Sequence, residues 1–289
     1  MYFEPQINFG DTQMLLSSKL HSYAHAIKSV ESTRKAIAPQ ALTLGLTLET
    51  ALQTQATLHM LDTAEGLNPI GRMVIAESVT RRSKDNPRAC LGYLYDSRTI
   101  NAQDDVATLR THNSSRLLLE PKLVLSLSQT PDASTTLEEF SLMFDSIALG
   151  FDVLKVPYQV GAWLFEDKVC SNGLSHQLIV GEAKTLSEKR KRNFSQVVNH
   201  AVFSLNRVTD TDSQLLNYAN GSDIVMSSIN ELYEVFQHHL QIDECSPFHQ
   251  NDLISLNALC PPVKINAGEE YVCVASGIDL ETLRIRFVQ

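Results

Sequence analysis

The stretch LLLEPKLVLSL, Leu117 to Leu127, sets Glu120 and Lys122 two positions apart in a run of leucine and valine. Alternate residues of a strand share one face, so a carboxylate and an ammonium enter one environment together. An unpaired charge in an apolar interior costs several kcal/mol, which obliges the two to pair or to face another charged group. The pattern predicts a largely buried strand that carries a polar site. Glu77, at the end of a run beginning GRMVIA, and Asp152 and Lys155, in IALGFDVLKV, are further charges set in apolar strand-like runs.

Working outward, 289 residues with 43% hydrophobic content suffice for one large domain, or a small domain plus a larger one. A formal net charge of -9 argues against a nucleic-acid partner, whose phosphates must be neutralised by cations. No apolar run is long enough for a membrane span. The opening MYFEPQINFG has neither a basic segment nor an apolar segment of secretory type. Cys90, Cys170, Cys245, Cys260 and Cys273 are scattered and nowhere spaced Cys-x-x-Cys. That usage predicts reduced thiols in a cytoplasmic protein.

Residues from about Gln13 to Gly66 have helical periodicity. Leu15, Leu16, Leu20, Tyr23, Ala24 and Ile27 form one stripe, and TLETALQTQATLHMLDTAEG opens at Thr47 and stops at Gly66. After Gly71 the pattern turns to short β-branched and leucine-rich runs, among them SHQLIVG, NDLISLNAL, EEYVCVAS and TLRIRFVQ. Two stretches interrupt them as expected helices: TLEEFSLMFDSIALG, with Glu138 and Glu139 near its start, and SDIVMSSINELYEVFQHHLQI. The expected fold class is α+β, with a helical cap region over residues 1–70 and a mixed β core over 71–289.

The chain contains no nucleophile elbow, phosphate loop or dinucleotide fingerprint. His238 and His239 are adjacent, so a helix points them apart. EKRKR (Glu188 to Arg192) is expected as a solvated loop.

The order of these segments resembles the fumarylacetoacetate hydrolase superfamily, in its branch of 2-keto-4-pentenoate hydratases and 2-oxo-3-hexenedioate decarboxylases. LTLGLTLETALQTQ, with Gln55, looks like that branch's N-terminal cap segment, and GRMVIAES like its Gly-x-Lys-x-Gly strand. LGYLYDS is similar to its Gly-x-Leu-x-Asp loop, LEPKLVLSL to its Glu-Pro-Glu strand, and LGFDVLKVPY to its Leu-Glu-Ile strand. FEDKVCSNGLSHQLIVG resembles its Asp-x-x-x-Asp-Asn segment, and the final AGEEYVCVASGIDLETLRIRFV its C-terminal pair of strands. The resemblance implies a helical cap on a mixed β-roll core of the fumarylacetoacetate hydrolase C-terminal type, assembled as a homo-oligomer. It also implies a divalent metal held by three carboxylates.

At the three positions matching those carboxylates stand Glu120, Lys122 and Asp152. Magnesium needs hard oxygen ligands, and Lys122 removes one anion and adds a cation. No bound metal or other cofactor is therefore expected. Met73 stands where the resemblance has a lysine, Ser171 replaces the second Asp of the Asp-x-x-x-Asp-Asn segment, and Leu256 and Asn257 stand for a Thr-Gly pair. The site reads as rewritten, with Lys122, Glu120, Asp152 and Glu77 as catalytic candidates. Met73, Ser78, Lys155, Lys168 and Asn172 are the substrate-binding candidates.

Two roles remain open for Lys122. It replaces the metal's charge for purely structural ends, or it performs part of the metal's work on a small keto or enol substrate. In the latter case it holds an enolate oxygen, or, with its pKa lowered by burial, acts as an acid or forms a Schiff base. The expected activity is a metal-independent lyase, hydratase or isomerase acting on an enolisable keto compound. The alternatives are a non-catalytic binding or partner enzyme subunit, and an ordinary magnesium-dependent hydratase or decarboxylase. No nucleic-acid or membrane partner is expected.

Overall fold

The computed structural model describes residues 9–33, 35–77, 89–102, 104–110, 116–159, 163–209, 211–242 and 246–289. Ser78 lies outside these residues.

In chain order they form helices α1 (Phe9–Thr33), α2 (Ala41–Leu44) and α3 (Leu48–Ala64), then strands β1 (Pro69–Ala76), β2 (Ala89–Tyr95), β3 (Thr99–Asn101), β4 (Val106–Arg110) and β5 (Leu117–Leu127). Helix α4 (Leu137–Leu142) leads into β6 (Phe144–Lys155), and α5 (Phe165–Cys170) precedes β7 (Ser175–Val180) and β8 (Lys184–Thr185). Helices α6 (Glu188–Arg192) and α7 (Phe194–Asn199) are followed by β9 (Val202–Val208), β10 (Ser213–Asn220) and α8 (Gly221–Ile242). Strands β11 (Leu253–Ser255), β12 (Val263–Lys264), β13 (Glu270–Ser276) and β14 (Leu283–Val288) complete the chain. No helix among the described residues is long and apolar enough to cross a membrane.

Two compact units result: Met1–Gly66 with Pro157–Leu174, and Leu67–Val156 with Ser175–Gln289. In the helical unit, Leu20, Tyr23, Ala24, Ile27 and Val30 of α1 are buried at helical spacing, as are Ala51, Thr54, Gln55, Leu58 and Asp62 of α3. Thr47 caps α3, its hydroxyl accepting from the Thr50 amide, and Gly66 follows the helix at φ +95°. Segment 157–174 is tied to this unit by a parallel bridge between Ile37 and Tyr158.

Among the described residues, the other unit has a nine-stranded sheet ordered β2-β1-β11-β5-β6-β7-β3, with β12 on β5 and β8 on β6. A five-stranded sheet is ordered β10-β9-β13-β14-β4. Both are mixed: β1 pairs β11, β3 pairs β7 and β14 pairs β4 in parallel, amid antiparallel neighbours. One apolar core joins Leu119, Leu123, Leu125, Phe151 and Val153 of the larger sheet to Phe203, Leu205, Tyr271 and Ile285 of the smaller, and to Ile229, Leu232 and Phe236 of α8. The fold is thus α+β, with its first helices N-terminal and its sheets mixed.

Three local expectations are corrected. TLEEFSLMFDSIALG is not one helix: α4 stops at Leu142, and β6 starts at Phe144 because the segment pairs with β5 along its length. The Thr136–Glu139 capping box starts that short helix. LGYLYDS is strand β2 running into a 3-10 turn rather than a loop, held by its antiparallel ladder on β1. EKRKR is a short helix capped by Ser187, although it is solvated as expected. VFSLNRV and SQLLNYAN form an antiparallel pair that the sequence reading passed over.

Candidate functional site

Core packing divides β5 by parity. Leu119, Leu123, Leu125 and Leu127 enter the shared core, so Glu120, Lys122 and Val124 face the opposite side. Register extends that second face across the sheet. Glu120 lies opposite Asp152 and Lys122 opposite Gly150 on β6, while Val124 lies opposite Ser255 on β11, itself opposite Met73 on β1. All these residues except Gly150 are 5% exposed or less, which puts two carboxylates and one ammonium on a buried patch.

Lys122 Nζ stands 3.0 Å from Glu120 Oε2. Burial opposes the ammonium, but the charges of Glu120 and Asp152 outweigh it and hold the Lys122 pKa above that of an ordinary lysine. The direction of the shift favours the ammonium, a positive charge beside Glu120, over the neutral amine that Schiff-base formation needs.

The surroundings keep the group in place. Ser175 Oγ donates to Asp152 Oδ1 at 2.7 Å, orienting that carboxylate. A Cβ on Gly150 would sit 2.8 Å from Val124 Cγ2 and 3.6 Å from Lys122 Cβ, so glycine there makes room for the two larger neighbours. Pro121 brings no ladder defect. Its carbonyl accepts from the Leu259 amide at 2.9 Å, on the side where β11 has ended and β12 has not begun. The passing segment 256–262 carries Cys260, whose thiol is pushed up to about 12 by burial and then by the charge of Glu120. Its anchor is Asn257, which donates to Glu231 Oε2 on α8 at 2.6 Å.

The donor set does not fit a divalent cation. Two carboxylates remain, and an ammonium occupies the space next to them. At about 4 Å and an effective dielectric of 20, a divalent ion and Lys122 would repel by roughly 8 kcal/mol. Among the described residues there is no group of three or more His, Cys, Asp or Glu able to hold a metal ion.

The remaining candidates are dispersed. Met73 shares the face of Lys122, at 3% exposure. Glu77 is half-buried directly after β1. Lys155 belongs to the same parity of β6 as Phe151 and Val153, so it projects from the core side and not beside Asp152. Lys168 and Asn172 belong to the helical unit. Asn172, Gly173 and Leu174 all adopt positive φ, of 51°, 73° and 68°, immediately before Ser175. The sequence reading missed Ser175, Cys260 and Ser255, the last with a buried hydroxyl that has no hydrogen-bond partner among the described residues. Their one available signal was parity or proximity relative to β5, which needs the register.

Asp167, matched in the Asp-x-x-x-Asp-Asn segment, is an anchor within the helical unit. Its Oδ1 accepts from Tyr23 Oη at 2.8 Å and from the Gln40 and Ala41 amides at 2.9 Å; its Oδ2 accepts from the Leu164 amide at 3.0 Å. Ser171 Oγ donates to the Asp167 carbonyl at 2.8 Å.

The chain matches no protein-family model and no curated protein. Solved structures do match. 4-Oxalocrotonate decarboxylase from Pseudomonas putida G7, complexed with magnesium and adipate, aligns over 94% of this chain and 98% of its own, with a TM-score of 0.76 at 13% identity. The chain has the fold of the fumarylacetoacetate hydrolase superfamily. A protein from Yersinia pestis CO92 assigned to the fumarylacetoacetate hydrolase family covers 77% of this chain and 94% of its own, with a TM-score of 0.53 at 10% identity. Fumarylpyruvate hydrolase from Pseudomonas aeruginosa, in complex with Mn2+ and pyruvate, covers 76% and 90%, with a TM-score of 0.50 at 13% identity. The near-complete coverage by the decarboxylase agrees with the resemblance read from the sequence, including its helical N-terminal part.

Proposed function

We propose that this chain is a metal-independent lyase, hydratase or isomerase acting on an enolisable keto compound, with Lys122 supplying the positive charge that a divalent ion supplies elsewhere in the superfamily. The observation that carries the reading is the buried Lys122 ammonium, 3.0 Å from Glu120 and opposite Gly150, with its pKa raised by Glu120 and Asp152. The decarboxylase and the hydrolase of the same fold, bound to adipate and to pyruvate, support a carboxylate-bearing substrate.

In this chemistry Asp152, oriented by Ser175, takes a proton from the carbon next to the substrate carbonyl. The electron pair moves into the new carbon–carbon double bond, and the carbonyl oxygen becomes an enolate oxygen. Lys122 donates a hydrogen bond to that oxygen and offsets its charge, while Glu120 keeps the ammonium in position. Returning the proton to another carbon completes an isomerisation. Expulsion of a leaving group, with its bonding electron pair, from the neighbouring β-carbon of the enolate gives the lyase outcome. The reverse, addition of water at the β-carbon of a conjugated double bond with a proton delivered to the α-carbon, gives hydration.

The test is the loss of ultraviolet absorbance from a panel of 2-hydroxydienoates and related enols, with EDTA and again with magnesium. Turnover that survives EDTA and falls by about 10²–10³-fold in Lys122→Ala is expected, the scale seen when one stabilising donor is lost. Turnover that requires magnesium sinks the proposal. Silence under both conditions favours a binding or partner subunit.

A further inference from the structure

On the exposed side of α1, His21 and His25 stand one helical turn apart, with Nε2 of one 3.0 Å from Nε2 of the other. The rings meet edge to face at a centroid distance of 4.6 Å. Leu20, Tyr23, Ala24 and Ile27 are buried, so the helix turns these two imidazoles to solvent while its other side is fixed by packing. Two ring nitrogens this close share one proton, since one must donate to a bare acceptor. A metal ion that binds imidazole can replace that bridging proton.

We propose that His21 and His25 form a two-histidine chelate for a divalent transition ion, with water completing the coordination shell. The geometry selects among ions. With metal–imidazole bonds of about 2.0–2.1 Å, a 3.0 Å separation closes an angle of between about 90° and 100° at the metal. A tetrahedral site would need nitrogens roughly 3.3–3.4 Å apart at the same bond lengths. The arrangement therefore suits the tetragonal preference of copper(II) or nickel(II) over tetrahedral zinc, and neutral imidazole is a poor ligand for magnesium. The two rings lie at i and i+4 on one face, so the helix holds both before any ion arrives.

This site is independent of the activity proposed for Lys122, and it changes how metal recovered with the protein is read. A copper or nickel ion held by His21 and His25 would be stripped by EDTA without bearing on turnover. Metal analysis in the His21→Ala background separates the two.

The experiment is calorimetric titration of the chelator-stripped, full-length protein with copper(II), nickel(II), zinc and magnesium salts in turn. One copper or nickel ion per chain is expected, zinc binding more weakly and magnesium not at all. His21→Ala and His25→Ala should each weaken copper binding by at least about tenfold, since loss of even an outer-sphere partner costs that much. Both side chains are exposed, so circular dichroism of the variants should match the parent. His238→Ala, which alters one of two adjacent helix histidines, should leave the titration unchanged. Equal copper affinity in the parent and both α1 variants, or a loss with His238→Ala alone, overturns the proposal.

Discussion

Lys122 is where structural and catalytic demands can be separated. Removing one partner of a buried ion pair costs about 3–5 kcal/mol, because the other charge is left uncompensated. Lys122→Ala is therefore expected to lower stability by that amount in urea unfolding. The double variant Glu120→Gln with Lys122→Met removes both charges and should regain most of it, while turnover stays lost. Recovery of both would make the pair purely structural. The pH dependence follows from the direction of the shift. A lysine whose folded pKa lies above its ordinary 10.5 contributes stability fully present below the unfolded value and lost as pH rises through the folded one. The pair's contribution should stay constant from neutral pH to about 10 and disappear only under more alkaline conditions. A loss of the pair's coupling between pH 7 and 9, measured by comparing the parent with the double variant, would contradict this.

At the scale of elements, the β5–β6 ladder decides which side chains meet, and Gly150 is its most sensitive point. An added methyl would lie 2.8 Å from Val124 Cγ2 and 3.2 Å from the Ile179 carbonyl. Gly150→Ala should cost about 1–3 kcal/mol of stability, as overpacking does. It should also reduce turnover more than Ala148→Gly, a change on the same strand and face; equal effects would show that crowding near Lys122 is irrelevant. How far such details could be read from the chain depends on what each residue reports. Glu120 and Lys122 announced themselves because charge in an apolar run is improbable without a partner, and their shared face follows from parity alone. Asp152 stood out for the same reason, but its grouping with Glu120 and Lys122 required the resemblance, since no local pattern says that β6 lies opposite β5 in this register. Ser175 was hidden because a serine at a strand start usually means a turn, and its contact with Asp152 spans 23 residues. The helix expected across Phe144 failed for a related reason: local periodicity cannot report the long partner that makes the segment a strand.

At the scale of the whole molecule, the chain divides into two compact units, and Asp167 is an anchor of the helical one. Its carboxylate accepts three backbone amides and the Tyr23 hydroxyl, at 1% exposure. These link α1, the start of α2 and the residue before α5, segments separated by up to 144 positions in the chain. Asp167→Ala would leave buried donors without acceptors, at about 1–3 kcal/mol for each group that water cannot reach. All of these donors belong to Met1–Gly66 or Pro157–Leu174. Hydrogen exchange in the variant should therefore accelerate across α1, α2 and α5 while the amides of β5 and β6 keep their protection, the signature of sub-global opening rather than global unfolding. Asp167→Asn retains an acceptor oxygen and should fall between the parent and the alanine variant. If protection in β5 and β6 fell in step with that in α1, the chain would open as one cooperative body, and Asp167 would be holding the whole fold rather than its helical part.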